Sequence, residues 1–376
     1  MRIRALKSLV LVTGGAGFIG SHLVDELVRR GRTVRVLDNL STGRKANIDG
    51  HVLAGTVDLV VGDVRDPETL AYAARGCSTI FHLAASVGVG EVTRAPLSCL
   101  ENNLEGVLSL VGLARSVSPS PRLIYFSSSE VYGKSGDAPL VEEGTFVIGP
   151  ANSPRWSYAA GKIAGEYLAL GSGDAHGIPV TVVRCFNTSG PRQMSTYGMV
   201  IPRFFEQAIA GDPITVYGDG SQTRCFSYVG DVVENVLRLE AAPEANGEVF
   251  NVGSDERISV LELAEKVRRL TGSSSKIAFV PFDDAYGPGF EESSHRVPDL
   301  TKLEGVTGSR RFTSLDELLA RYFEWVREDV PPHEEVEIPE GRNGRASAPR
   351  EAERGVRESG LPARGAVRPD ASRGLH

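Results

Sequence analysis

The sequence predicts an α/β fold: a doubly wound parallel sheet followed by a smaller α/β C-terminal lobe. Three observations carry that expectation. Short apolar runs recur along the first half of the chain: SLVLVT (8–13), TVRVL (33–37), DLVVG (58–62), STIFHLAA (78–85), RLIYFSS (122–128) and PVTVVRCF (179–186). The runs are continuous rather than alternating, as strands covered on both faces are. Helix-like stretches lie between them, which is the rhythm of a parallel sheet.

The first run follows MRIRALK, so the start of the chain resembles a signal peptide. The apolar run is short and enters a glycine loop instead of a small-residue cleavage site, so it is read as the first strand. A helix follows, with Ile19, Leu23 and Leu27 recurring at i, i+4, i+8 and Val24 and Val28 beside them. Gly31 closes it. Between strand and helix stands TGGAGFIG, with Gly14, Gly17 and Gly20 three residues apart. In a strand–loop–helix context this is the Rossmann phosphate loop. Gly14 permits the tight turn, Gly17 lets the backbone approach a pyrophosphate, and Gly20 lets helix and strand pack closely. The helix N-terminus offers N–H groups and a positive dipole to the phosphates. Asp38 ends the second strand about 20 residues on, where an acid holds the adenosine ribose hydroxyls. A carboxylate there favours NAD over NADP, although Arg44 and Lys45 lie just downstream. Asp38 could also simply cap a turn.

These elements divide the chain into a cofactor-binding Rossmann domain at 1–186, completed by about 226–254, and a smaller lobe at 187–225 and 255–330. Within the lobe, the segments GPRQMSTYGMVIPRFFEQAIAG and DERISVLELAEKVRRLTG read as helices. Residues 331–376 are rich in Pro, Gly, Arg and Glu and have almost no large apolar side chain, so they are expected to be a disordered tail.

Composition narrows the function classes. The 376 residues are 41% apolar and 24% charged, as in a globular protein. A net charge of −7 argues against a nucleic-acid partner. No apolar run has the length of a membrane span. The four cysteines, Cys77, Cys99, Cys185 and Cys225, match neither a zinc pattern nor a CxxC pair, so no metal is expected. Cys185 and Cys225 read as buried thiols, which suits a cytoplasmic protein.

Tyr158 and Lys162 stand four apart in SYAAGKIAGEYLAL, on one face of an expected helix. A phenol is a weak base at neutral pH. A neighbouring ammonium and an oxidised nicotinamide both lower its pKa. Tyr158 can then take a proton from a substrate hydroxyl while hydride leaves for NAD. Ser127, Ser128 and Ser129, at the end of a strand, can hydrogen-bond the same oxygen. An NAD-binding scaffold or regulator, the non-enzyme alternative, has no need of such a phenolate.

Together these segments resemble the extended short-chain dehydrogenases/reductases of the NAD-dependent nucleotide-sugar epimerase/dehydratase family. VTGGAGFIGSH, VLDNLSTG, FHLAA, SSSEVYG, YAAGK, RCFN and the Gly-Pro-Arg at 190–192 fall in that family's order, over roughly residues 8–328. The resemblance implies a catalytic triad of Ser128, Tyr158 and Lys162 and a bound NAD. It extends the cofactor set to Phe18, Ile19, Asn39, Asp63, Val64, Ala84 and Asn103. It places Asn187 and Arg224 on a UDP-sugar, and it implies a homodimer formed through a helix bundle that includes the Tyr158 helix.

Family members begin alike, by oxidising C4 of the sugar, and then diverge into epimerisation, 4,6-dehydration or loss of a C6 carboxylate. Only decarboxylation calls for a cation near that carboxylate or a proton donor at C5. The Ser129-Glu130 pair resembles UDP-glucuronate decarboxylases more than the Asp-Glu usual in dehydratases. GPANSPRWSYAAGK and AYGPGFEESSHRVPDL resemble the same enzymes, and there Arg296 falls on the arginine associated with decarboxylation. The resemblance therefore ranks UDP-glucuronate decarboxylase first, giving UDP-xylose or the 4-keto-pentose. UDP-hexose 4-epimerase and nucleotide-sugar 4,6-dehydratase stay open, because Arg296 can instead bind a diphosphate and Glu130 a sugar hydroxyl. Two departures stand out. Ser189 replaces the usual aromatic before Gly-Pro-Arg. Val87 and Ser129 stand where ring-contracting relatives carry cysteines.

Overall fold

The computed structural model describes residues 8–329 apart from 89–91, 93, 135, 137, 287–295 and 309–311. The expected tail at 331–376 lies outside the described residues. Seven parallel strands form the central sheet: β1 (Leu9–Thr13), β2 (Thr33–Asp38), β3 (Val57–Val61), β4 (Cys77–His82), β5 (Arg122–Ser128), β6 (Val180–Cys185) and β7 (Glu248–Val252). Their order is β7-β6-β5-β4-β1-β2-β3. The chain moves outward one way from β1 to β3 and the other way from β4 to β7. The β1/β4 boundary is therefore a topological switch point, where α/β sheets of this kind bind ligands.

Continuous apolar strands are needed because both faces are covered. Val10 and Val12 face one apolar cluster with Phe81, Ile124 and Phe250. Leu11, between them, faces the other with Ile80, Leu123 and Tyr125. This is the period-2 alternation of a strand, applied to two dry faces. Helix α1 (Phe18–Arg29) buries Leu23, Val24 and Leu27 completely against the first cluster. Each such side chain stabilises the fold by about 1.5–3 kcal/mol.

A third apolar cluster joins Phe204, Phe205, Val216, Leu263, Leu318 and Tyr322. It lies among the helices Val200–Ala210, Val260–Thr271 and Leu315–Asp329. The segment expected to be one helix from residue 190 differs. Only a short 3-10 turn at Ser195–Tyr197 and the helix Val200–Ala210 form. Gly190 and Gly198 adopt positive φ, and Pro191 has no N–H to donate, so the first half cannot propagate a helix. The segment from Asp255 is likewise split. Residues Arg257–Ser259 make a strand, and the Val260 helix starts at a capping box between Ser259 and Glu262. Cys225 is buried, whereas Cys185, expected to be buried too, is only half-buried and lines a cavity. Among the described residues no helix is long and apolar enough to cross a membrane.

Candidate active site

A cavity of about 530 Å³ opens at the carboxyl ends of the strands and reaches from the glycine loop to the third cluster. At the cofactor end, Gly14 turns with φ of +73°, and a β-carbon there would sit 2.7 Å from the Ala84 nitrogen. A β-carbon on Gly20 would sit 2.1 Å from the Gly14 carbonyl. Gly17 is different: a β-carbon would find only the Gly14 carbonyl oxygen within 4 Å, at 3.2 Å. Gly17 caps α1 in extended conformation, no side chain caps that helix, and its first turn holds no acid. A glycine with one close neighbour and an uncapped positive helix end fit the diphosphate of a dinucleotide.

Asp38 lines this end and is nearly fully buried. Burial raises its pKa, and backbone hydrogen bonds from Leu40 and Ala16 oppose that. Those bonds measure 2.8 Å and 2.9 Å. Asp38 therefore both holds the glycine loop and faces the cavity, so the turn-capping and ribose-facing expectations meet in one side chain. Phe18, Ile19, Asn39, Asp63, Val64 and Ala84 also line the cavity. Asn39 donates to Asp63 at 3.2 Å. Asp63 is pulled down to about 2, chiefly by its hydrogen bond from Arg65. Asn103, expected in the cofactor set, is buried behind the loop that follows β4. Its carboxamide accepts from the Ser86 N–H at 2.8 Å and donates to the Ser86 carbonyl at 3.2 Å. Bonded to that backbone, it braces the loop after β4, whose residues Leu83 to Gly88 form the cavity wall, and its neighbour Asn102 reaches the cavity instead.

Ser128 ends β5, and Tyr158 and Lys162 lie in the first turns of the helix Ser157–His176. All three line the cavity. Burial raises the Tyr158 phenol well above its ordinary value, and a hydrogen bond with Ser128 pulls it back. Burial lowers Lys162 to about 8. Its ammonium donates to the Phe126 carbonyl at 2.8 Å and sits 5.0 Å from the Tyr125 ring centroid. The Glu130 charge adds to the rise in the Tyr158 phenol, so a phenol in this setting needs positive charge beside it to act as a base.

Glu130 stands two residues past Ser128, in a short 3-10 turn. One carboxylate oxygen accepts from Arg296, and the other pairs with Arg155 at 2.7 Å. Burial works to raise the Glu130 pKa, but Arg296 and Arg155 outweigh it and hold the carboxyl at about 2. Arg155 was not among the sequence candidates. Its signal was its place three residues before Tyr158, but nothing local says that it turns toward Glu130. Arg296 is held from behind. Leu140 exchanges backbone hydrogen bonds with Val297 and Asp299, both at 2.8 Å, and Asn251 donates to the Leu140 carbonyl at 2.8 Å. A buried chain continues from there: Tyr132 donates to Asn251, Arg184 to Tyr132, and Arg184 pairs with Glu166, which accepts from Ser127.

At the far end of the cavity stand Asn187 and Arg224. The Asn187 amide donates to the Cys225 carbonyl at 3.1 Å, and Arg224 donates to the Thr223 carbonyl at 2.7 Å. Sequence reasoning missed Arg203 and Tyr217 beside them. The Arg203 guanidinium lies 3.8 Å from the Tyr217 ring centroid. Ser189, where the family's aromatic is absent, donates to Gln193 at 2.6 Å.

A dinucleotide cradle joined to a Ser-Tyr-Lys set in one cavity defines a nucleotide-dependent oxidoreductase-type site. Residues 10–253 match the NAD dependent epimerase/dehydratase family, and the chain belongs to it. It is 40% identical over 324 residues to the UDP-N-acetyl-alpha-D-glucosaminuronate decarboxylase of Bacillus cytotoxicus, covering 86% of this chain and 99% of that protein. It is 37% identical to UDP-glucuronic acid decarboxylase 2 of Arabidopsis thaliana over 80% of this chain and 64% of the longer plant protein. Its fold matches the UDP-glucuronic acid 4-epimerase of Bacillus cereus, solved with UDP-glucuronic acid and NAD. The TM-score there is 0.76 at 26% identity, covering 85% of this chain and 99% of the other. The protein is thus an NAD-dependent enzyme of the nucleotide-sugar class.

Proposed function

We propose that the protein decarboxylates a UDP-hexuronate, with UDP-glucuronate as substrate and UDP-xylose or the 4-keto-pentose as product. The observation that carries this is the Glu130 carboxylate held between Arg155 and Arg296 in the same cavity as Ser128, Tyr158 and Lys162. Bound NAD supplies the hydride acceptor for oxidation at C4. Tyr158 takes the C4 hydroxyl proton, Ser128 orients that hydroxyl, and the Lys162 charge favours the phenolate. Once C4 is a ketone, the C6 carboxylate is β to it. The C5–C6 bond then breaks, carbon dioxide leaves, and the electron pair passes into the C4 carbonyl as an enolate. Tyr158 and Ser128 are placed to hydrogen-bond that oxygen. Arg296 marks where the C6 carboxylate docks. Glu130, held ionised, orders the water that delivers a proton to C5. Return of the hydride to C4 gives UDP-xylose, whereas release before it gives the 4-keto-pentose.

A second reading concerns only the C2 substituent. The 40% identity to an enzyme named for an N-acetylated uronate favours testing UDP-N-acetylglucosaminuronate as well. Asn187, Arg224, Arg203 and Tyr217 would hold the UDP moiety. A cytoplasmic location fits the four free thiols. A homodimer fits the exposed Leu97, Leu108 and Tyr167 on the helices Pro96–Ser116 and Ser157–His176. The test is carbon dioxide release from UDP-glucuronate, from its 2-acetamido analogue and from UDP-glucose as a control. Release from either uronate supports the reading. Release from neither, with interconversion of UDP-hexoses, replaces it with epimerisation.

A further inference from the structure

The two guanidinium groups on Glu130 do not compete for the same atom. Arg296 engages Oε1 and Arg155 engages Oε2. Both arginine side chains are almost completely buried. Removing one partner of a buried ion pair is strongly destabilising, because a carboxylate is left without compensation. A second partner on the other oxygen removes that obstacle. With Arg155 in place, Arg296 can turn from Glu130 to an incoming carboxylate without stranding Glu130.

Arg155 is built to stay. It sits in the short 3-10 turn Pro154–Trp156, directly ahead of the helix that carries Tyr158. Its guanidinium lies 5.2 Å from the Trp156 ring centroid. Trp156 is itself buried and wedged against Gly149, where a β-carbon would sit 2.1 Å from the indole nitrogen. One rigid turn therefore fixes both the arginine and the approach to Tyr158. Arg296, in contrast, lies outside any helix, just before Val297 and Asp299, which bond the Leu140 backbone, and Asn251 donates to the Asp299 carbonyl at 3.3 Å.

We propose that Arg155 is a positioning residue that retains Glu130 while Arg296 exchanges Glu130 for the carboxylate of the substrate. This rests on the uronate reading above, and it deepens that reading by dividing two roles between the arginines. Arg155 governs preference for a carboxylated sugar over a neutral one without itself carrying out chemistry.

The test uses NAD-loaded protein with Tyr158→Phe in the background, so that ligands bind without turnover. Affinities for UDP-glucuronate and UDP-glucose are measured by titration calorimetry. Adding Arg155→Gln is expected to weaken UDP-glucuronate binding by about tenfold and UDP-glucose by less than about twofold. Arg155→Lys, which keeps a charge for the contact to Oε2, is expected to restore most of the loss. If Arg155→Gln does not fold, Arg155→Met keeps a stem to pack on Trp156 and is read in the same way. Equal losses for both ligands, or no loss for either, overturn the proposal and leave Arg155 as packing. A loss confined to UDP-glucuronate, in a protein whose wild type releases no carbon dioxide, sustains the role of Arg155 and refutes decarboxylation instead.

Discussion

Replacing Glu130 with Gln removes the charge on which two buried guanidinium groups converge while keeping the shape of the side chain. The carboxyl is held at about 2 against an ordinary 4.5, because Arg296 and Arg155 overcome the opposing effect of burial. At about 1.4 kcal/mol per pH unit, that displacement corresponds to roughly 3 kcal/mol of folding stability at neutral pH. For a chain of this size the expected fall in melting temperature is about 4 °C. The sign with pH follows from the depressed value. The contribution is complete above the unfolded-state pKa of 4.5 and drains away as pH falls from there toward 2. Gln has no such titration, so the gap between the two proteins should be widest near neutrality and close in acid. Scanning calorimetry of both proteins from about pH 7 down to about pH 3 reads this directly. Equal melting temperatures at neutral pH would refute the claim that Glu130 is an ionised strut, as would a gap that stays constant into acid.

Tyr158→Phe should lower turnover by about 10³-fold or more while leaving NAD bound, measured by product formation and by nucleotide released on denaturation. Gly20→Ala should lose NAD and melt earlier, since its β-carbon would lie 2.1 Å from the Gly14 carbonyl oxygen and neither backbone can yield cheaply. Asn251→Ala should cost about 1–3 kcal/mol by leaving buried groups unpaired, among them the Leu140 carbonyl that it now serves. It should also slow carbon dioxide release more than C4 oxidation, because the Leu140–Val297 contact that seats Arg296 loosens. Following reduced nicotinamide and carbon dioxide separately distinguishes the two steps.

The parts of this protein that can be read from sequence are the local ones. The glycine loop, Asp38 and the Tyr158–Lys162 pair are each fixed by spacing within one strand–loop–helix unit or one helix. Most of the sheet is legible for the same reason: the central strands are apolar runs because both faces are covered, whereas β7, EVFNV, interrupts its apolar residues with Asn251. What sequence could not supply is convergence. Glu130 and Arg296 are 166 residues apart, and their contact exists only because Leu140 and Asn251 seat the later segment. Arg155 is close to Tyr158 in sequence, yet its direction depends on Trp156 packing at Gly149. The partner of Asn103 was equally out of reach of the sequence, because its amide bonds the Ser86 backbone 17 residues away. The helix expected before Val200 does not form, because Gly190 and Gly198 adopt positive φ and Pro191 has no N–H to donate.

The most direct test of the central claim is to run the reaction with UDP-glucuronate and NAD in deuterium oxide and to identify the product sugar by NMR and mass spectrometry. Decarboxylation through a C4 ketone predicts a UDP-pentose or UDP-4-keto-pentose carrying deuterium at C5, with carbon dioxide released in equal amount. A product of unchanged mass with inverted C4 configuration and hydrogen retained at C5 would contradict it.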